Sequence, residues 1–159
     1  MLALLDNDLA RASELAGMQL TDFYTSDDIT WLWSMRATQI ETDPESENWA
    51  ASVVVDADTG AAVGHAGFHA PPDANGLVEI GYSIDPLVRR QGYARATVAA
   101  LLERCAGEPA VVTVRATISP TNTASLATIA GYGFEHVGEQ IDDEDGLEFI
   151  FERPAKGSV

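Results

Sequence analysis

Residues 85–105 read DPLVRRQGYARATVAALLERC, and the parsing of that stretch decides the fold. Ahead of it, LVEIGYSID at 77–85 alternates with the period of a strand. Val78, Ile80, Tyr82 and Ile84 fall on one face, and Leu77, Glu79, Gly81 and Ser83 on the other. Beyond Gly92, the residues Ala94, Val98, Leu101, Leu102 and Cys105 recur at the spacing of a buried helical stripe. A strand therefore hands over to a helix across Arg89, Arg90, Gln91 and Gly92. A turn needs the glycine but not the two arginines. The first N–H groups of a helix point outward without partners, and its aligned peptide dipoles place about half a positive charge there. A glycine lets an anion approach that backbone closely. With Arg89, Arg90 or Arg95 as charge-assisted donors, the segment reads as a pyrophosphate cradle. It reads equally as a turn whose arginines are solvated.

Working outward, residues 7–17 carry Leu9, Ala12, Leu15 and Ala16 at helical spacing and end at Gly17. A second helix is predicted from the capping cluster Ser26, Asp27 and Asp28 through Ile29, Leu32, Trp33, Arg36 and Ile40, ending by Pro44. Residues 51–70, ASVVVDADTGAAVGHAGFHA, hold two extended runs around the turn Asp56–Gly60. After the helix at 92–106 comes a strand at VVTVRAT, then a short helix in SPTNTASLATIAGYGF stopped by Gly131. Two closing strands, 134–141 and 147–153, hinge at DDEDG. Strand and helix alternation with antiparallel hairpins at both ends predicts an α/β fold, a mixed sheet covered by helices.

The chain has 159 residues, read as one domain over 1–159 with a proper core. Its 25 acidic and 9 basic residues give a formal net charge of −16, which argues against nucleic acid or an anionic membrane as partner. That charge favours a cationic partner such as an amine, or simply confers solubility. No apolar run approaches the ~18 residues of a membrane span. MLALLDNDLARAS has no basic n-region or cleavage site, so the expected location is the cytoplasm. One cysteine, Cys105, offers no disulfide framework. His65, His69 and His136 lack metal-ligand spacing, so no metal is expected. IDDEDGLEFIFE places Asp143, Asp145, Gly146 and Glu152 as in a calcium loop, but Ile141 heads it between strands, and a hairpin turn is the better reading. Trp31, Trp33 and Trp49 read as core.

No Walker-type G-x-x-x-x-G-K-[ST] occurs, and no G-x-G-x-x-G follows a strand. Arg89-Arg90-Gln91-Gly92-Tyr93-Ala94 instead resembles the [QR]-x-x-G-x-[GA] signature of the GNAT superfamily of acetyl-CoA-dependent N-acetyltransferases. VEIGYSIDPLVRRQGYARATVAALL resembles that family's pyrophosphate strand–loop–helix. NTASLATIAGYGF resembles its next helix, with Asn122, Ser125, Gly133 and Phe134 in register, as in the RimJ/RimL-like subgroup. The resemblance covers about residues 50–153 and is weak in the N-terminal third.

The resemblance implies transfer of acetyl from acetyl-CoA to a primary amine, such as a protein N-terminus, a polyamine or an aminoglycoside. It implies that pantetheine lies along Tyr82, Ser83 and Ile84, with the pyrophosphate on the amides of Gln91, Gly92, Tyr93, Ala94 and Arg95. Glu79 is the candidate base, because a partly desolvated carboxylate in an apolar stretch is a better proton acceptor. The alternative is a plain strand glutamate facing solvent. Many relatives carry a tyrosine acid seven residues after the asparagine, where this chain has Ile129, and Tyr132 is out of register. Ser125 then becomes the candidate donor to the leaving sulfur. Asn122 reads either as a contact to the pantetheine end or as a helix cap. The helix holding Trp31 and Trp33 would help wall the acceptor pocket, and His69 could line it. Two rivals remain: a non-catalytic acyl-CoA sensor, suggested by the missing tyrosine, and an anion-binding interaction domain. A homodimer through the last strands is a further possibility.

Overall fold

Alternating apolar side chains build the sheet. The computed structural model describes residues 1–142 and 146–157. Strands β1 (Ser52–Val55) and β2 (Ala62–Phe68) pair antiparallel. In the turn between them Asp56 Oδ1 accepts the N–H groups of Asp58 and Thr59, and Gly60 takes φ +72. Strand β3 (Leu77–Ile84) lies antiparallel to β2, and β4 (Thr113–Ile118) lies parallel to β3. The closing hairpin, β5 (Glu135–Asp142) and β6 (Gly146–Pro154), inserts β6 beside β4, so the order is β1-β2-β3-β4-β6-β5. This is the mixed sheet that the sequence predicts.

Helices cover both faces: α1 (Leu2–Leu5), α2 (Leu9–Ala16), α3 (Asp27–Thr42), α4 (Tyr93–Gly107) and α5 (Thr123–Ile129). The stripe Val98, Leu101, Leu102 and Cys105 of α4 packs with Phe68, Val78, Ile80, Val114 and Ile129 in one core. Burial pushes the Cys105 thiol up to about 11, which suits a packing role. A second core joins Leu4, Ala12, Leu20, Tyr24, Ile29 and Trp33. On β2, Ala66 and Phe68 enter the first core, whereas His65 meets Phe23 and Trp33 of the second. The two clusters therefore sit on opposite faces of the sheet.

Several local expectations change. Asp8 caps α2 through Arg11 N–H, but Leu15 and Ala16 face solvent because α2 buries only Ala12. Ser26 occupies the α3 N-cap position, yet its hydroxyl donates to the Phe23 carbonyl and caps nothing; the Asp28 side chain lies outside the described residues. Helix α5 ends at Ile129, and the left-handed residue that follows is Gly133, not Gly131. Trp33 is buried, but Trp31 is 54% exposed. Asp143 and Asp145 of the calcium-like reading lie outside the described residues, as does most of the DDEDG hinge.

Candidate active site

The ladder between β3 and β4 pairs only Leu77 with Thr113, Val78 with Val114 and Glu79 with Arg115. Strand β3 continues to Ile84 and β4 to Ile118, so the two part just beyond Glu79. His69 N–H donates to the Glu79 carbonyl at 2.9 Å, and Asp85 N–H to the Val63 carbonyl at 3.0 Å. The odd positions of β3 therefore bond to β2. In an antiparallel ladder neighbouring residues face opposite ways, so the backbone groups of Ile80, Tyr82 and Ile84 turn into the gap.

The gap opens into a cleft of about 510 Å³. Its walls include Tyr82, Ser83 and Ile84 of β3, then Arg89, Arg90, Gly92, Tyr93, Ala94 and Arg95 of the loop and α4, and Asn122 and Ser125 of α5. Gln91 is exposed and does not line it. Val88, Ala124 and Thr128 line it without standing out in the sequence.

The loop is held in an unusual backbone shape. Arg90 takes φ +64 and Gly92 φ +91, so two left-handed residues bracket Gln91. Such alternation turns successive N–H groups toward one concavity. The first intrahelical bond of α4 runs from Ala96 N–H to the Gly92 carbonyl, and no side chain caps this end. The N–H groups of Tyr93, Ala94 and Arg95 are left as donors.

Buried Asp85 sets the start of the loop: Oδ1 accepts Leu87 N–H at 2.9 Å, and Oδ2 accepts the Thr21 hydroxyl at 2.6 Å. Arg89 turns back, its Nε donating to the Ile84 carbonyl at 3.0 Å, so part of its fork fixes the loop to β3. Tyr132, out of register as an acid, donates its hydroxyl to the Arg95 carbonyl at 2.8 Å and ties the turn after α5 to α4.

Asn122 has two places in the structure. It caps α5, its Oδ1 accepting Ser125 N–H at 3.1 Å, and it also lines the cleft with Nδ2 left to donate. The Ser125 hydroxyl has no hydrogen bond among the described residues. Ile129 is 2% exposed and packed in the core, so a side chain at that position does not reach the cleft.

Glu79 stands where the strands part, with its side chain 21% exposed. Its Oε1 accepts the Thr117 hydroxyl and lies 3.6 Å from His69 Nδ1. It does not line the cleft itself. Desolvation, reinforced by the nearby Arg36 charge, lowers the His69 imidazole against the opposing pull of Glu79. His69 is half-exposed, so solvent screening keeps that effect small. Among the described residues no group of three or more His, Cys, Asp or Glu is placed to hold a metal ion. No helix among them is long and apolar enough to cross a membrane.

Comparison with known proteins meets this geometry. The chain is similar in structure to an acetyltransferase of the GNAT family from Bacillus anthracis, with 24% identity over 66% of each chain and a TM-score of 0.59. It is similar to the ribosomal-protein-S5-alanine acetyltransferase of Vibrio fischeri: 17% identity, 86% of this chain, 76% of that one, TM-score 0.64. A GNAT superfamily phosphinothricin acetyltransferase from Sinorhizobium meliloti, solved with AcCoA, gives 20% identity over 97% and 84% of the chains, TM-score 0.61. No curated protein sequence matches. These likenesses show the fold. The family model described as an acetyltransferase (GNAT) domain matches residues 3–135. The match reaches through the N-terminal third, where the motifs alone showed little, because α1 to α3 carry dispersed apolar spacing and no compact signature. Spanning well over half of its length, that match shows that the chain belongs to the GNAT acetyltransferases.

Proposed function

We propose that this acetyltransferase moves the acetyl group of acetyl-CoA onto a primary amine, using Glu79 as base. The observation that carries the reading is the parting of β3 from β4 beyond Glu79 into a cleft that is also walled by an uncapped helix start with unpartnered amides. The donor set fits the coenzyme. Exposed Arg90 and Arg95, with the N–H groups of Tyr93, Ala94 and Arg95, suit two linked phosphates. The open edge of β3, with the Tyr82 backbone groups and the Ile84 N–H turned into the gap while the Ile84 carbonyl accepts Arg89 Nε, suits the amide-bearing pantetheine arm, with Asn122 Nδ2 as a further donor.

Bound acetyl-CoA supplies an acyl group on a thiol leaving group. Holding it along β3 fixes the carbonyl, and the Tyr82 N–H faces the place where negative charge grows on its oxygen. Glu79 removes a proton from the incoming ammonium, directly or through one water, so that the neutral nitrogen attacks the carbonyl carbon. The C–N bond forms and the C–S bond breaks, while the second proton of the nitrogen passes to the sulfur through the Ser125 hydroxyl or through solvent, so that the serine ends protonated. A thiol of ordinary pKa, about 8.5, leaves without a strong acid. The net charge of −16 draws cationic acceptors toward the cleft. Protein N-termini, polyamines and aminoglycosides all fit that requirement.

Ile129 favours a second reading, an acyl-CoA sensor without turnover, because a core isoleucine stands where many relatives carry the tyrosine acid. Thiol release from acetyl-CoA across free amino acids, N-terminal peptides, polyamines and aminoglycosides separates the two. Multiple turnovers with at least one amine are expected. Saturable acetyl-CoA binding without release from any of them would leave the sensor.

A further inference from the structure

Behind β3 lies a second cavity of about 160 Å³, walled by α3 and the β2–β3 pair, with Leu32, Arg36, His65 and Gly81 among its lining. A cavity of about that size accommodates a benzene ring, so this one takes a small group. Tyr82 lines both this cavity and the larger cleft, so the two meet at the strand that carries the reaction centre.

Arg36 is only 5% exposed and His65 only 7%. Arg36 Nη1 donates to the His69 carbonyl at 2.6 Å and to Gln39 Oε1 at 2.8 Å, which ties α3 to the end of β2. That structural duty leaves Nε without a partner in the protein, and both ring nitrogens of His65 are likewise unpartnered. No hydrogen bond among the described residues occupies Nη2. Nε and Nη2 form one edge of the guanidinium fork, spaced for the two oxygens of a carboxylate.

Among the described residues no carboxylate forms an ion pair with Arg36. A buried charge is costly unless it is paired, and here the described residues supply only the positive half. His65 does not change that balance. Burial, with the Arg36 charge adding to it, pushes its imidazole down to about 4, so near neutrality it is an uncharged donor and acceptor.

We propose that this cavity selects acceptors carrying a carboxylate close to the amine, so that the substrates are amino acids and not bare polyamines. The inference rests on the acetyl-transfer reading above and narrows its acceptor. It also accommodates the acidic surface: a basic amino acid answers the overall charge of −16 with its side chain and Arg36 with its carboxylate.

Substrate pairs that differ only by the carboxylate isolate the effect: L-lysine against cadaverine, and L-arginine against agmatine. The native protein is expected to show a kcat/KM at least about 30-fold higher for the amino acid of each pair, the scale of a buried charge pair made or lost. Arg36→Met should shrink that ratio below about threefold, and Arg36→Lys should retain part of it. Equal use of both members by the native protein, or an unchanged ratio in Arg36→Met, would overturn the inference. If Arg36→Met does not fold, the native ratios and Arg36→Lys decide. If no amine in either pair releases thiol, the acetyl-transfer reading fails for them. The Nε–Hε resonance of Arg36 in the native protein then decides the inference separately: it should move on titration with L-lysine and stay fixed with cadaverine. No movement with L-lysine, or equal movement with both, would overturn it.

Discussion

Glu79→Gln is expected to lower kcat by about 10²-fold at neutral pH while leaving the acetyl-CoA dissociation constant nearly unchanged. Glutamine keeps the shape of the side chain and an oxygen to accept the Thr117 hydroxyl, so the strand and its register are preserved. What it removes is the basic lone pair. Glu79 does not line the cleft, which is why coenzyme affinity should not follow the rate. Steady-state kinetics with a saturating amine, beside calorimetric titration of acetyl-CoA, reads both quantities. Equal turnover in the two proteins would remove Glu79 from the chemistry and turn attention to His69, whose Nδ1 lies 3.6 Å from Glu79 Oε1.

Gly92→Val should weaken acetyl-CoA binding by tens of fold with little loss of fold stability. Gly92 sits at φ +91, where a residue with a Cβ costs ~1–2 kcal/mol and a β-branched one is a genuine outlier. A Cβ there meets nothing within 4 Å, so no steric clash with the body of the protein adds to that strain. The chain relieves it by changing the loop, and the loop is what aims the amides of Tyr93, Ala94 and Arg95. A thermal melt close to that of the native protein, together with a large rise in the dissociation constant, is the expected pair of results. An unchanged dissociation constant would mean that the loop geometry is unrelated to ligand.

Much of the fold and of the cleft is legible in the sequence. The strand at 77–84 and the helix at 93–107 are marked by their periods, since one face of each is buried and the other is not. The turn at Asp56–Gly60 is written in residues that tolerate it. The glycine and arginines of the loop stand out because a turn needs the glycine but not the two arginines. Other parts are not legible, and the reason is distance along the chain. Thr117 meets Glu79 across 38 residues, Thr21 meets Asp85 across 64, and Arg36 meets the His69 carbonyl across 33. Arg36 falls on the stripe of Ile29, Leu32, Trp33 and Ile40, but an arginine on a helix usually faces water, so spacing alone does not mark it as buried. The same limit explains Leu15, whose helical spacing promised a buried position that the short helix α2 does not provide. Tyr24 is a further case. Its hydroxyl donates to the Gly64 carbonyl and accepts the Gly64 N–H, securing the α3 side of the molecule to β2. No local pattern predicts a tyrosine that completes a strand.

A crystal structure of the protein with coenzyme A tests the central claim most directly. The two linked phosphates should lie on the backbone amides of residues 92–95, with the pantetheine arm bonded to β3 at Tyr82 and Ile84 and its sulfur ending near Glu79. Coenzyme bound anywhere else, or those amides closed off by the protein's own side chains at saturating ligand, would contradict it.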